Sequence, residues 1–292
     1  MKKQWSGKID PHRLVKVTCM GDVTELMAMK FNHKQNIQKL NDKEYLNLST
    51  GEIFDFELSY NRADNKNSLR QSMRKLRNLI NTNCSEPKKV KWITLTYAEN
   101  MQDTKKLYND FKVFNILLRR KIGHYEYIVV PEPQARGAWH LHLLMIFDHI
   151  APYIPNETFS SCWKHGFFNL QSLKNIDNVG AYLTAYLADI PLEENPNYNG
   201  DKIKTVEGKK YIKGGRLSMY PVGFNLYRTS RGIKRSTSYF IQYNQLDFKR
   251  LGKLTFSSYV LMYDEEKIMA QADYNQCVPN MIYYEYYNRR RF

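Results

Sequence analysis

Long apolar runs are missing from this 292-residue sequence. No stretch of about 18 apolar residues occurs, so a membrane-spanning helix is not expected. The opening residues, MKKQWSGKID, carry no apolar signal core, and the expectation is a cytoplasmic protein without a secretory leader. Paired cysteines are missing too. Cys19, Cys84, Cys162 and Cys277 lie far apart with no CxxC, which fits reduced thiols better than a disulfide framework or a zinc finger. There is no internal repeat of roughly 20–50 residues, which argues against a solenoid. No GxxxxGK[ST] phosphate loop occurs either, so a P-loop nucleotide-hydrolysing motor is not expected.

Acidic residues are comparatively scarce. Lys and Arg number 44 against 29 Asp and Glu, a formal net charge of +15. Residues 1–90 hold 17 basic against 10 acidic residues, 91–190 hold 10 against 9, and 191–292 hold 17 against 10. A nearly neutral centre between basic flanks points to a catalytic or packing middle gripped by arms that meet a polyanion. Solvated lysines on a basic protein would give the same charge. The 22 tyrosines favour nucleic acid, because stacking on unpaired bases needs rings as well as cations. Hydrophobic and charged contents of 42% and 25% are those of an ordinary globular chain of one or two domains.

Residues 1–60 alternate apolar and polar patches and are expected as strands or hairpins. Leu69, Met73, Leu76 and Leu79–Ile80 follow helical spacing within 66–83, with arginines on the other face. In the centre, KWITLTY (91–97), 125–130 and WHLHLLMIF (139–147) are expected strands, with a turn at Gln134–Gly137 joining the last two as an antiparallel hairpin. Helices are expected at 101–122, 156–164 and 175–190, and a strand at 167–173. That order describes an α+β fold, a central antiparallel sheet with helices on one face. The expected division is a basic extension at 1–85, a central domain at 86–190 and a basic, Tyr-rich region at 191–292. The Asn- and Gly-rich stretch from Pro191 to Gly215 is the expected flexible connection, and a further strand is expected at 253–263.

His140 and His142 alternate on one strand, so both imidazoles point to the same face. Glu132 lies eight positions before His140, and a turn centred near residue 136 sets the two opposite each other with Cβ atoms about 5 Å apart. One carboxylate and two imidazoles suit a divalent metal that also holds a substrate oxygen. Satisfied structural histidines are the alternative. On the 175–190 helix, Tyr182 and Tyr186 lie together to one side of the apolar stripe Ile176, Val179, Leu183, Leu187, Ile190. They are either tyrosines at a core boundary or a nucleophile for a phosphate. From 216 to 235, Arg216, Tyr220, Phe224, Tyr227, Arg228, Arg231, Lys234 and Arg235 interleave rings and cations as a single-strand-binding surface does.

ITLTY (93–97), Glu132 with HLH (140–142), and AYLTAY (181–186) resemble, in order and spacing, the three motifs of the HUH endonucleases. The likeness is to the rolling-circle replication initiators of bacterial plasmids and phages, including the filamentous-phage gene II type. YPVGFNLYRTSRGIKR (220–235) is similar to the segment after the nuclease domain in plasmid initiators. The resemblance implies a ferredoxin- or RRM-like nuclease fold with basic extensions. It further implies His140, His142 and Glu132 as ligands of Mg²⁺ or Mn²⁺. Tyr182 is the implied first nucleophile, and Tyr186 a second nucleophile or helper. Thr94 and Thr96 would support the sheet beside the DNA. The implied activity is nicking and joining of single-stranded or hairpin origin DNA through a 5′-phosphotyrosine. A conjugative relaxase or single-strand transposase uses the same chemistry, and a non-catalytic origin-binding protein is the alternative from another class. One departure stands out. Many relatives carry lysine three residues after the tyrosine, where this sequence has Ala185 and Asp189, leaving the basic role to a residue from elsewhere. Asp189 itself is expected to be solvated.

Overall fold

The computed structural model describes residues 3–4, 9–30, 37–41, 43–56, 66–134, 136–171, 173, 176, 178–194, 200, 203–206, 209–212, 214–221, 223–262 and 280–290. Near the N-terminus are six strands: Lys3–Gln4 (β1), Leu14–Met20 (β2), Val23–Met29 (β3), Ile37–Lys39 (β4), Glu44–Asn47 (β5) and Ile53–Asp55 (β6). Next come Lys66–Asn83 (α1), Val90–Tyr97 (β7), Thr104–Ile122 (α2), Glu126–Pro133 (β8), Trp139–Ile146 (β9), Asn156–Cys162 (α3), Gly166–Gln171 (β10) and Val179–Ala188 (α4). Ile190–Pro191 (β11), Ile203–Val206 (β12), Lys209–Ile212 (β13) and Arg228–Thr229 (β14) lead to Thr237–Gln242 (β15), Phe248–Leu251 (α5), Lys253–Met262 (β16) and Asn280–Asn288 (β17).

The chain forms two compact units, Met1–Ser59 with Thr237–Phe292, and Tyr60–Ser236. This grouping differs from three consecutive blocks, because the two ends pair with each other. The first unit is built on a six-stranded sheet of order β1-β16-β17-β3-β2-β15, whose β17 runs antiparallel to both β16 and β3. Charge divides with the units. Residues 60–236 hold 28 basic against 15 acidic residues, whereas the paired ends hold 16 against 14. The excess positive charge therefore lies at 60–90 and 191–236, inside the second unit, and the outermost segments are nearly neutral.

The second unit carries a five-stranded sheet of order β10-β7-β9-β8-β14, and every pair is antiparallel. β7 is a strand because Trp92, Ile93, Thr94 and Leu95 fill both faces of a pleated, covered sheet. Helices cover both faces, not one. Ile93, Leu95, Leu141, Leu143 and Met145 pack with Phe111, Phe114 and Leu118 of α2 and Phe159 of α3. On the opposite face, Trp92, Val130 and Leu144 pack with Leu76 and Ile80 of α1 and Leu183 and Leu187 of α4. Amphipathic spacing shows that a helix has an apolar side but does not specify which sheet face receives it. Beyond α4, the described parts of 190–212 form a second small sheet of order β11-β13-β12, where a flexible connection was expected.

The β8–β9 turn closes through Gln134 N–H to Ala138 O at 2.7 Å and Gly137 N–H to Gln134 O at 2.8 Å. Gly137 adopts φ +88°, a conformation costly for other residues, and this fixes where the hairpin reverses. The reversal sets the register, with Glu132 opposite His140, Val130 opposite His142, and Pro133 opposite Trp139.

Candidate active site

β7 lies on the other side of β9, with Thr96 opposite His140 and Thr94 opposite His142. Strand alternation thus puts Thr94, Thr96, Glu132, His140 and His142 on one face, the face covered by α1 and α4. Glu132 and His142 are buried, and the carboxylate Oε2 contacts His142 Nε2 directly. The other ring nitrogen, His142 Nδ1, lies 3.1 Å from Thr94 Oγ1, so Thr94, itself buried, orients the imidazole. His140 differs. Its Nε2 is buried and has no hydrogen-bond partner among the described residues.

Arg216 enters this cluster from a short 3-10 turn, Gly215–Met219. It is 4% exposed, and its Nε lies 2.8 Å from Glu132 Oε1. The same guanidinium donates to Asp189 O at 2.9 Å and Pro133 O at 2.8 Å. Arg216 was expected on the DNA-tracking surface and is instead withdrawn into the site, since a buried carboxylate requires a partner. Tyr220 is likewise corrected. It is 1% exposed, and its single O–H is shared between Pro131 O at 3.2 Å and Leu187 O at 3.3 Å. Asp189 is buried rather than solvated, and its carboxylate accepts from Gly214 N–H at 2.7 Å. It ties the end of α4 to the turn that carries Arg216.

Burial by itself would push the Glu132 carboxyl up, but His142 and Arg216 beside it outweigh burial and hold it below the usual carboxylate range. His140 is pushed down from 6.5 to about 4, mainly by burial, which the Glu132 charge only partly offsets. It is therefore a neutral imidazole at pH 7. The unfolded chain binds more protons than the folded one between these values, so His140 contributes stability that is complete above pH 6.5 and lost as pH falls towards 4. Glu132 adds stability that disappears at lower pH still. The melting temperature should therefore decline as pH drops from 6.5 to 4, and a His140→Asn variant should decline less over that window. Parallel curves for the two proteins would refute the assignment.

α4 is positioned by an amide clamp. Asn81 of α1 accepts from Gly180 N–H at 2.8 Å and donates to Asn178 Oδ1 at 2.9 Å, and Asn178 caps Ala181 N–H at 2.8 Å. Gly180 permits this approach, since a Cβ there would lie 2.5 Å from Arg77 O. So placed, α4 sets Tyr182 edge-on against Trp92 at 5.9 Å between ring centroids, and Trp92 lies 6.0 Å from the His142 ring. Tyr182 is 41% exposed. Tyr186 follows one turn later, and its side chain lies outside the described residues. Trp92 and Asn81 were not singled out from sequence. The available signal was an amide beside the apolar stripe of α1 and a tryptophan two positions before Thr94.

The rest of the expected surface is accessible. Arg228 is exposed and stacks 3.3 Å from the Tyr108 ring centre, while Arg231, Lys234 and Arg235 are exposed and Tyr227 and Thr96 are half-buried. Asn83 at the end of α1 holds the Lys234 backbone through two hydrogen bonds of 2.8 and 2.9 Å.

Among the described residues, no three His, Cys, Asp or Glu side chains stand arranged as a metal-holding group, because Glu132 is turned to His142 and Arg216. The donor chemistry nonetheless fits a divalent ion. Two imidazoles, one with an unpartnered buried nitrogen, adjoin an ionised carboxylate.

The fold and this cluster define an α+β unit with a histidine pair, a carboxylate and a helix-borne tyrosine on one sheet face. Residues 90–190, spanning β7 to the start of β11, match the family model described as replication-associated protein, ORF2/gene II protein. The match covers about a third of the chain and associates this region with replication. No curated protein and no solved structure matches the chain. No helix among the described residues is long and apolar enough to cross a membrane.

Proposed function

We propose that this protein is a metal-dependent, single-strand DNA endonuclease of the HUH type that nicks and rejoins an origin to start rolling-circle replication. The observation that carries this reading is the shared face: Glu132 opposite His140, with His142 beside them and Tyr182 on the helix above. Glu132, His140 and His142 would hold Mg²⁺ or Mn²⁺, which when bound supplies charge neutralisation at the scissile phosphate. Thr94 fixes the His142 ring for that task, and Trp92 supports the phenol. The Tyr182 oxygen attacks phosphorus, forming a Tyr–O–P bond as the P–O3′ bond breaks, and the phenolic proton passes to the leaving 3′ oxygen. The product is a 5′-phosphotyrosine and a free 3′-hydroxyl that primes synthesis. Stacked duplex cannot enter such a site, so the substrate is single-stranded or extruded from a hairpin, opened with a host helicase.

The test is incubation of the protein with Mn²⁺ and single-stranded fragments of its own replicon, followed by mapping of a peptide–DNA adduct. Adduct at Tyr182 or Tyr186 supports the proposal; sequence-specific binding without adduct favours a non-catalytic origin-binding protein. Affinity should also fall steeply with salt, each phosphate contact on a single strand contributing about 0.7 to the log–log slope. Arg231→Ala should lower that slope by about 0.7 if the exposed 228–235 segment tracks the backbone. An unchanged slope would remove the segment from the interface.

A further inference from the structure

We propose that Arg216 is the internal counter-ion of Glu132, holding the carboxylate while no divalent cation is bound and competing with that cation for it. This rests on the metal-dependent reading above and deepens it.

The two carboxylate oxygens have separate partners: Oε1 lies 2.8 Å from Arg216 Nε, and Oε2 contacts His142 Nε2. A cation that takes Glu132 as a ligand must displace at least one of them. Arg216 does not yield easily, because Pro133 O holds its guanidinium through a second nitrogen at 2.8 Å, while Nε, beside the carboxylate, also donates to Asp189 O at 2.9 Å. A fixed positive charge, 4% exposed, therefore stands beside the place where a divalent cation would enter. Both charge repulsion and occupation of Oε1 lower cation affinity. The same contacts account for the observation that the donors are adjacent but not arranged as a metal-holding group. Ala185 and Asp189 offer no cation from α4, and Arg216 is the cation paired with the site's carboxylate.

The experiment is an Mn²⁺ titration of the full chain followed by electron paramagnetic resonance. Arg216→Gln, which keeps an N–H donor at the position of Nε, within reach of the Asp189 carbonyl, and removes the charge, should bind Mn²⁺ about tenfold tighter than the parent. Arg216→Lys, which keeps the charge, should stay within about threefold. Adding Glu132→Gln should erase the gain, since the competition is for that carboxylate. An arginine that only braces the fold would loosen binding when replaced. Equal or weaker Mn²⁺ binding by folded Arg216→Gln, or a gain that persists with Glu132→Gln, overturns the proposal. Should Arg216→Gln not fold, the arginine Nε–H resonances of the parent are followed during Mg²⁺ titration, with Arg216 identified by its absence in Arg216→Lys. That resonance should move on saturation, and a stationary one overturns the proposal. Equal Mn²⁺ affinity in the parent and His140→Ala would instead bring down the metal site itself, and this inference with it.

Discussion

His140→Ala should lose DNA cleavage by on the order of a thousandfold, equivalent to roughly 4 kcal/mol at the transition state, while single-strand affinity stays within about twofold. The asymmetry follows from the positions of the groups. His140 contributes a buried nitrogen without a partner among the described residues, so its removal costs no internal hydrogen bond that is seen there. The cations expected to grip the backbone, Arg228, Arg231, Lys234 and Arg235, are exposed on a different segment. Cleavage rates with saturating Mn²⁺ and binding by fluorescence anisotropy separate the two effects. Cleavage at the parental rate would show that His140 is a structural histidine, the alternative that spacing left open.

Tyr182→Phe should abolish the covalent adduct, a fall of at least about 10⁴-fold, without disturbing the fold. The phenylalanine ring retains the edge-on contact with Trp92, and the Asn178 cap and the Asn81 clamp act on the backbone of α4 rather than on this side chain. Its melting temperature should therefore stay within about 2 °C of the parent. Tyr186→Phe should still nick but be impaired in strand transfer, since residue 186 follows Tyr182 by one helical turn along α4 and is the candidate for the second step. The reverse pattern would exchange the roles. Adduct in the double variant would place the phosphotyrosine elsewhere among the 22 tyrosines.

The part of this site that was legible in sequence is the part set by local rules. Alternation puts His140 and His142 on one face, and the glycine turn sets Glu132 opposite His140. Both hold in the structure, because hairpin register depends on a few consecutive residues. Arg216 was misplaced for the opposite reason. It donates to Pro133 across 83 residues of sequence, and nothing in its neighbourhood distinguishes a buried arginine from a solvated one. The cause lies in Glu132, whose burial demands a counter-charge that sequence pattern does not locate. Asp189 and Tyr220 follow the same logic, each drawn inward by backbone groups distant in sequence. The pairing of β17 with β3 is also non-local, so the ends looked like separate extensions.

That pairing has a consequence for the order of events during synthesis. β2 and β3 leave the ribosome early, but β17, the strand that runs beside β3, is translated only after the whole of 60–236. At about 5–20 residues per second, the interval between Met29 and Asn280 is on the order of 10–50 s. Until β15 is made and can pair with β2, the β2–β3 hairpin is a two-stranded ribbon, which is marginal in water by itself, and β3 lacks its other neighbour for the whole interval. The five strands carrying Glu132 and the histidine pair, by contrast, all lie between Val90 and Thr229. The five-stranded sheet can therefore close while the six-stranded sheet still waits for β17, and the last strand to be made decides when the first ones are secured.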